Sequence, residues 1–193
     1  MSKAIKIVGL SGSIRAASVN TGLLIAASKR LPPNVTMEIA DMSKLPIYND
    51  DLWEGKSDDS ALPEPVRKMR AQIAAADCIL FANPEYNFSV SSVLKTGIDW
   101  ASKNPNCFAG KPAAIMGAGG GNRTALSAMH LRGIGVFLDL HFLNKPAVAI
   151  NRFAPPHNAA FDAVTGELVD EDLAATIEEL VKELVTMARK MQG

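Results

Sequence analysis

The chain has 193 residues, about the length of one domain, and 48% of them are hydrophobic. That composition supplies a substantial core and excludes an intrinsically disordered chain. Lys plus Arg and Asp plus Glu both number 20, so the formal charge is zero and the broad basic surface of a nucleic-acid binder is missing.

The N-terminus, MSKAIKIVGL, lacks the long apolar core and small-residue cleavage site of a secretory signal, and residues 4–10 read as a buried strand. A polar loop, GSIRAASVN, leads into an apolar-periodic helix near 20–31. A Pro-Pro-Asn turn precedes a second strand, VTMEIADM, in which Val35, Met37 and Ile39 alternate with polar residues. Residues 43–65 carry prolines and acids with Tyr48 and Trp53, and read as a long irregular loop. A helix with Val66, Met69 and Ile73 on one face then meets the third strand, CILFAN. Its Cys78 reads as a buried thiol, and with Cys107 it forms neither a CxxC pair nor a disulfide framework. The loop PEYNFSVSS, a helix near 91–102 and a fourth strand, PAAIMGA, follow. A glycine-rich turn opens a helix near 124–137, and KPAVAI supplies a fifth strand. After a second long loop, 151–168, the chain closes with a helix whose Leu173, Ile177, Leu180, Leu184 and Met187 share a face.

No window of eighteen apolar residues is present to span a membrane, which leaves a soluble, cytoplasmic protein as the expectation. Five strands alternating with helices, each strand a nearly continuous apolar run, predict a single α/β domain over 1–193. Right-handed crossovers make the doubly wound parallel order 2-1-3-4-5, with helices on both faces, the natural topology. Ligands of such sheets bind beyond the carboxyl ends of the strands, where the loops after strands one, three and four converge.

Those three loops are chemically distinctive. The first is neither a P-loop nor the dinucleotide fingerprint, since it has no Gly-Lys-Ser/Thr and no G-x-G-x-x-G spacing. Its Ser13, Arg15, Ser18 and Asn20 put hydroxyl, guanidinium and amide groups at a helix N-terminus, which suits one terminal phosphate. The plainer alternative is that Ser18 or Asn20 caps the helix and Arg15 is a solvated charge. In the third-strand loop Tyr86 and Phe88 lie beside backbone amides, a combination that suits a planar heteroaromatic ligand or a simple turn. The fourth-strand loop, with Gly117, Gly119, Gly120 and Gly121, lets a ligand lie against the backbone, or is a flexible turn.

Taken together, G-S-x-R-x-x-S-x-N after strand one, P-E-Y-N after strand three and the glycine-rich turn after strand four resemble the NAD(P)H-dependent FMN reductase family. The nearest likeness is to its quinone and chromate reductase branch, and it extends through VLKTGIDW and MHLRGIGVFLDLHFLNKP. The resemblance implies a flavodoxin-like fold, bound FMN, NAD(P)H as electron donor and two-electron, ping-pong reduction of quinones, some members also taking chromate or azo compounds. It implies that Ser13, Arg15, Ser18, Val19 and Asn20 hold the phosphate end. Pro84, Glu85, Tyr86 and Asn87 then run along the isoalloxazine edge, with the amides of Glu85 to Asn87 donating to it, and the glycines from Gly117 to Gly121 lie beside the ring and ribityl chain. It implies dimers or tetramers as well. The sequence departs from the family pattern at Met129, where tyrosine is expected, and in the spacing of Arg123.

Hydride chemistry of this kind needs no protein nucleophile. His130, His141 and His157 are scattered and lack metal-ligand spacing, and no metal is expected. His130 reads as a packing or interface residue, and His157 as part of a solvated loop. Glu85 is the one carboxylate expected near the flavin, as a proton carrier or as a shaper of the loop. Asp99 and Trp100 are expected to hold their helix in place. The 129–146 stretch carries more apolar surface than one helix face packs against a sheet, which predicts self-association. Three rival readings are a flavin reductase that releases reduced FMN, a flavodoxin-like electron carrier and a binding module that senses a phosphorylated metabolite. Carriers of that fold are usually acidic, and this chain is neutral.

Overall fold

A computed structural model describes residues 3–53 and 59–193. Its central strands are β1 (Ile5–Ser11), β3 (Cys78–Ala82) and β4 (Pro112–Gly119), flanked on one side by β2 (Val35–Ile39). All pairings are parallel in the order β2-β1-β3-β4, with Ile7 opposite Cys78 and Ala82 opposite Met116. Every residue of β3 is buried, as a strand covered on both faces must be.

The helices divide between the faces. On one lie α1 (Val19–Ser28) and the long C-terminal α5 (Glu171–Gln192), whose Ile177, Val181, Leu184 and Val185 pack on Ile5, Ile7, Leu80 and Met116. On the other lie α2 (Glu64–Ala75), α3 (Ser92–Ala101) and α4 (Ala125–Leu138), which enclose Val8, Leu10, Ile79 and Phe81. The expected doubly wound architecture is the one observed.

The far edge departs from expectation. It holds two short strands, β5 (His141–Phe142) and β6 (Val148–Asn151), and both pair with β4. Leu143 N–H still donates to Ala113 O, at 2.8 Å, after which the chain leaves the edge until Val148. Pro146 lies in that gap and has no N–H to give a ladder. So α4 ends at Leu138 with Asp139 left-handed at φ 58°, and Leu140, Phe142 and Leu143 continue into the sheet edge.

The 43–65 stretch, expected to be irregular, contains single 3₁₀ turns at Asp50–Leu52 and Asp59–Ala61, with residues 54–58 outside the described part. Arg70, 1% exposed, anchors it: Nε donates to Asp59 Oδ2 at 2.7 Å and Nη1 to Trp100 O at 2.8 Å. Its guanidinium also lies 4.8 Å above the Trp53 ring. Trp100 is buried and donates to Pro46 O, while Asp99 pairs with Lys95, so both hold α3 as expected. No helix among the described residues is long and apolar enough to cross a membrane.

Candidate active site

The loop after β1 is built by hydrogen bonds of its own. Ser11 Oγ lies 2.9 Å from Thr21 Oγ1 and accepts from Ser13 N–H, so these two hydroxyls brace the turn from below. Gly12 sits where no side chain fits: a Cβ there would lie 2.6 Å from Pro84 Cδ and 2.9 Å from Ser91 Oγ. Gly12 N–H donates to Ala82 O and Gly12 O accepts from Ser91 Oγ, which locks the first loop to the third. Ser91 also caps α3 by accepting from Leu94 N–H.

At the start of α1, Ser18 is the N-cap and accepts from Thr21 N–H at 3.3 Å. Its hydroxyl proton stays free to donate, and the first turn carries no acid to oppose an anion. Asn20 is buried and spans 98 residues of sequence: its Nδ2 donates to Ala118 O, and its Oδ1 accepts from Ala118 N–H, both at 3.0 Å. The side chain expected to hold a phosphate therefore spends one N–H and one lone pair, half of its capacity, tying α1 to the end of β4.

An open groove of about 140 Å³ runs between these loops at the carboxyl ends of β1, β3 and β4. Ser13, Arg15, Ser18, Val19 and Asn20 line one end, and Pro84, Glu85, Tyr86, Gly119 and Gly120 line the other. Three expected residues do not line it. Gly117 faces inward, where a Cβ would collide with Thr124 Oγ1 and lie 2.8 Å from Asn83 O. Gly121 is exposed beyond the groove, and Asn87 is carried away by a hairpin. In that hairpin Tyr86 N–H donates to Ser89 O and Ser89 N–H to Tyr86 O, with Asn87 (φ 49°) and Phe88 (φ 61°) at the tip. The Tyr86 amide, expected to face a ligand edge, is thus committed within the turn.

Glu85 has a different task from the one a free carboxylate would perform. Its Oε2 accepts from Leu126 N–H and Ser127 N–H, each at 3.0 Å, and Oε1 accepts from Asn122 Nδ2 at 3.3 Å. It caps α4, whose own N-cap position, Thr124, makes no capping bond. His130, expected as a packing or interface residue, is not packed in the core: it is exposed on α4 with Nδ1 3.0 Å from Ser89 Oγ.

Ala118, Arg152 and Phe153 also line the groove, and the sequence reading did not include them. The signal for the last two was their place directly after the fifth strand, at a carboxyl end beside β4. His157 lies one cavity further on, its Nδ1 3.8 Å from Asp170 Oδ2.

The groove passes a test of fit for FMN. Its phosphate end offers a helix N-terminus, the Ser18 hydroxyl and an Arg15 without an ion-pair partner among the described residues. Its other end offers bare backbone at Gly120, where a Cβ would meet nothing within 4 Å. The family model for the NADPH-dependent FMN reductase matches residues 5–155. The chain belongs to that family. Among its relatives it is 46% identical to an NADPH:quinone oxidoreductase of Arabidopsis thaliana, over 98% of this chain and 94% of the other. An NAD(P)H-dependent FMN reductase of Pseudomonas aeruginosa is 44% identical over the full length of both. The solved structure of FerB, a flavoenzyme NAD(P)H:(acceptor) oxidoreductase of Paracoccus denitrificans, superposes with a TM-score of 0.81 at 28% identity, covering 97% of this chain and 99% of that one.

Proposed function

We propose that this chain is an FMN-dependent NAD(P)H:quinone oxidoreductase, acting as one unit over 1–193. Family membership supports the cofactor and the donor, and the printed names of the relatives support a quinone as acceptor. The observation that carries the reading is the two-ended chemistry of the groove, which joins an anion-seeking helix terminus to open backbone at Gly120.

Bound there, FMN supplies the hydride chemistry that protein side chains lack. The chain's residues position it. Arg15 and the Ser18 hydroxyl hold the phosphate against α1, Val19 and Pro84 shield the middle from water, and Gly119 and Gly120 let the backbone approach. Tyr86, 54% exposed, borders the open side on which nicotinamide and then quinone stack in turn. Sharing that side requires the first product to leave before the acceptor enters. NADPH oxidation by the FMN-loaded protein, with benzoquinone varied at several NADPH concentrations, then gives parallel double-reciprocal lines. Converging lines, or no quinone-dependent oxidation, would overturn the reading.

The same reading extends to assembly and location. Leu126, Met129, Val136 and Phe137 form an apolar stripe on α4, with Val136 82% and Phe137 84% exposed. We propose that a second copy covers this stripe, giving a dimer or, with a further interface, a homotetramer. The cytoplasm is the proposed compartment, in keeping with two free, buried cysteines.

A further inference from the structure

Two arginines line the groove, and Arg15 is only one of them. Arg152 follows β6 directly and lines both the groove and an adjoining cavity of about 120 Å³, and Arg15 lines the same two. Its backbone is fixed, because Arg152 N–H donates to Gly119 O at 3.0 Å and so extends the β6–β4 pairing by one residue. Its guanidinium carbon lies 5.0 Å above the Phe153 ring, which steadies the planar group without neutralising it. Its Nε is buried and has no hydrogen-bond partner.

The carboxylates that share these cavities do not compensate either arginine. Glu85 is bound to the start of α4. Asp162 accepts from Val164 N–H, Thr165 N–H and Thr165 Oγ1. Neither arginine has an ion-pair partner among the described residues. Two uncompensated cations beside one helix N-terminus call for a ligand carrying close to two negative charges, and a phosphate monoester carries about −1.5 to −2 at neutral pH. A buried, unpaired N–H is costly until an acceptor reaches it, and an oxyanion is the strongest acceptor available.

We propose that Arg152 is a second phosphate-binding arginine, closing on the FMN 5′-phosphate from the β6 side opposite Arg15. The inference rests on the FMN reading above and adds to it a residue from the 151–168 loop. It gives that loop a binding task at the phosphate.

The test is fluorescence titration of the full-length, flavin-stripped protein with FMN and with riboflavin, for wild type, Arg15→Ala, Arg152→Ala and Arg152→Gln. Circular dichroism melts of the stripped proteins check folding, and Arg152→Gln serves if the alanine variant does not fold. Each Arg152 variant is expected to bind FMN about tenfold to a hundredfold more weakly while riboflavin changes little. It should also show a shallower dependence of FMN binding on salt. Unchanged FMN affinity, or equal losses for both flavins, overturns the proposal, and a selective loss in Arg15→Ala then shows that the FMN reading itself stands. A wild type that does not prefer FMN to riboflavin overturns both. An unchanged FMN affinity with a KM raised for NADPH and not for NADH reassigns Arg152 to the dinucleotide and likewise overturns the proposal.

Discussion

Replacing Glu85 with alanine removes the cap of a helix that has no other. Thr124 occupies the left-handed region at φ 60° and makes no capping bond, and the first turn of α4 contains no acid. The Glu85 carboxylate supplies both functions from the loop after β3 through its bonds to Leu126 and Ser127. Loss of a cap costs about 0.5–2 kcal/mol, and loss of the anion at a helix N-terminus adds about 0.3–1 kcal/mol. Partial exposure of the group places the sum near ~1–2 kcal/mol. For a chain of this length each kcal/mol moves Tm by roughly 2–4 °C, so Glu85→Ala should melt about 2–8 °C lower. Glu85→Gln keeps a carbonyl oxygen for the two N–H groups and loses the charge, so it should fall between. The assay is thermal unfolding of the flavin-free protein at low salt, paired with the pH profile of turnover. A Glu85→Ala melt indistinguishable from wild type would refute the capping role. A Glu85→Gln variant that melts normally yet loses one titrating limb of its turnover profile would make the residue a proton carrier instead.

Light scattering should give the mass of a dimer or tetramer, and Val136→Asp with Phe137→Asp should return a monomer. A wild-type monomer mass unchanged across micromolar concentrations would end the assembly proposal. Burial pushes the Cys78 thiol up to about 12. A raised thiol value means that its contribution to stability is fully present below about pH 9 and is lost as pH climbs toward 12, by up to ~4 kcal/mol. Urea midpoints should therefore fall across that window less steeply in Cys78→Ala than in wild type, and identical slopes would count against it.

The sheet order was legible because each central strand is an apolar run too short for a helix and each crossover helix has its own apolar face. The split edge was not, since Leu140, Phe142 and Leu143 are as apolar as the helix before them and only Pro146 marks the gap. The polar loop was legible as a cluster of hydrogen-bonding side chains, and its residues do gather in one groove. What sequence could not display is which partner each polar atom takes. Asn20 finds Ala118 at 98 residues' separation, and Glu85 finds the backbone of α4 some 41 residues on. The hairpin at Asn87 and Phe88 was hidden for a local reason, because asparagine tolerates a left-handed backbone whereas phenylalanine gives no turn signal.

The interrupted far edge also bears on how the chain behaves in a crowded solution. An open sheet invites other chains to add strands wherever a straight row of unpaired N–H and C=O groups is long enough to template them. Here that row is broken into pieces of two and four residues, with Lys145 and Pro146 between them. The opposite edge, β2, has only five residues and carries Glu38 paired with Lys6. Backbone-mediated stacking into fibres is blunted at both ends, so the proposed docking of a second copy on the α4 side chains would meet little competition from strand addition.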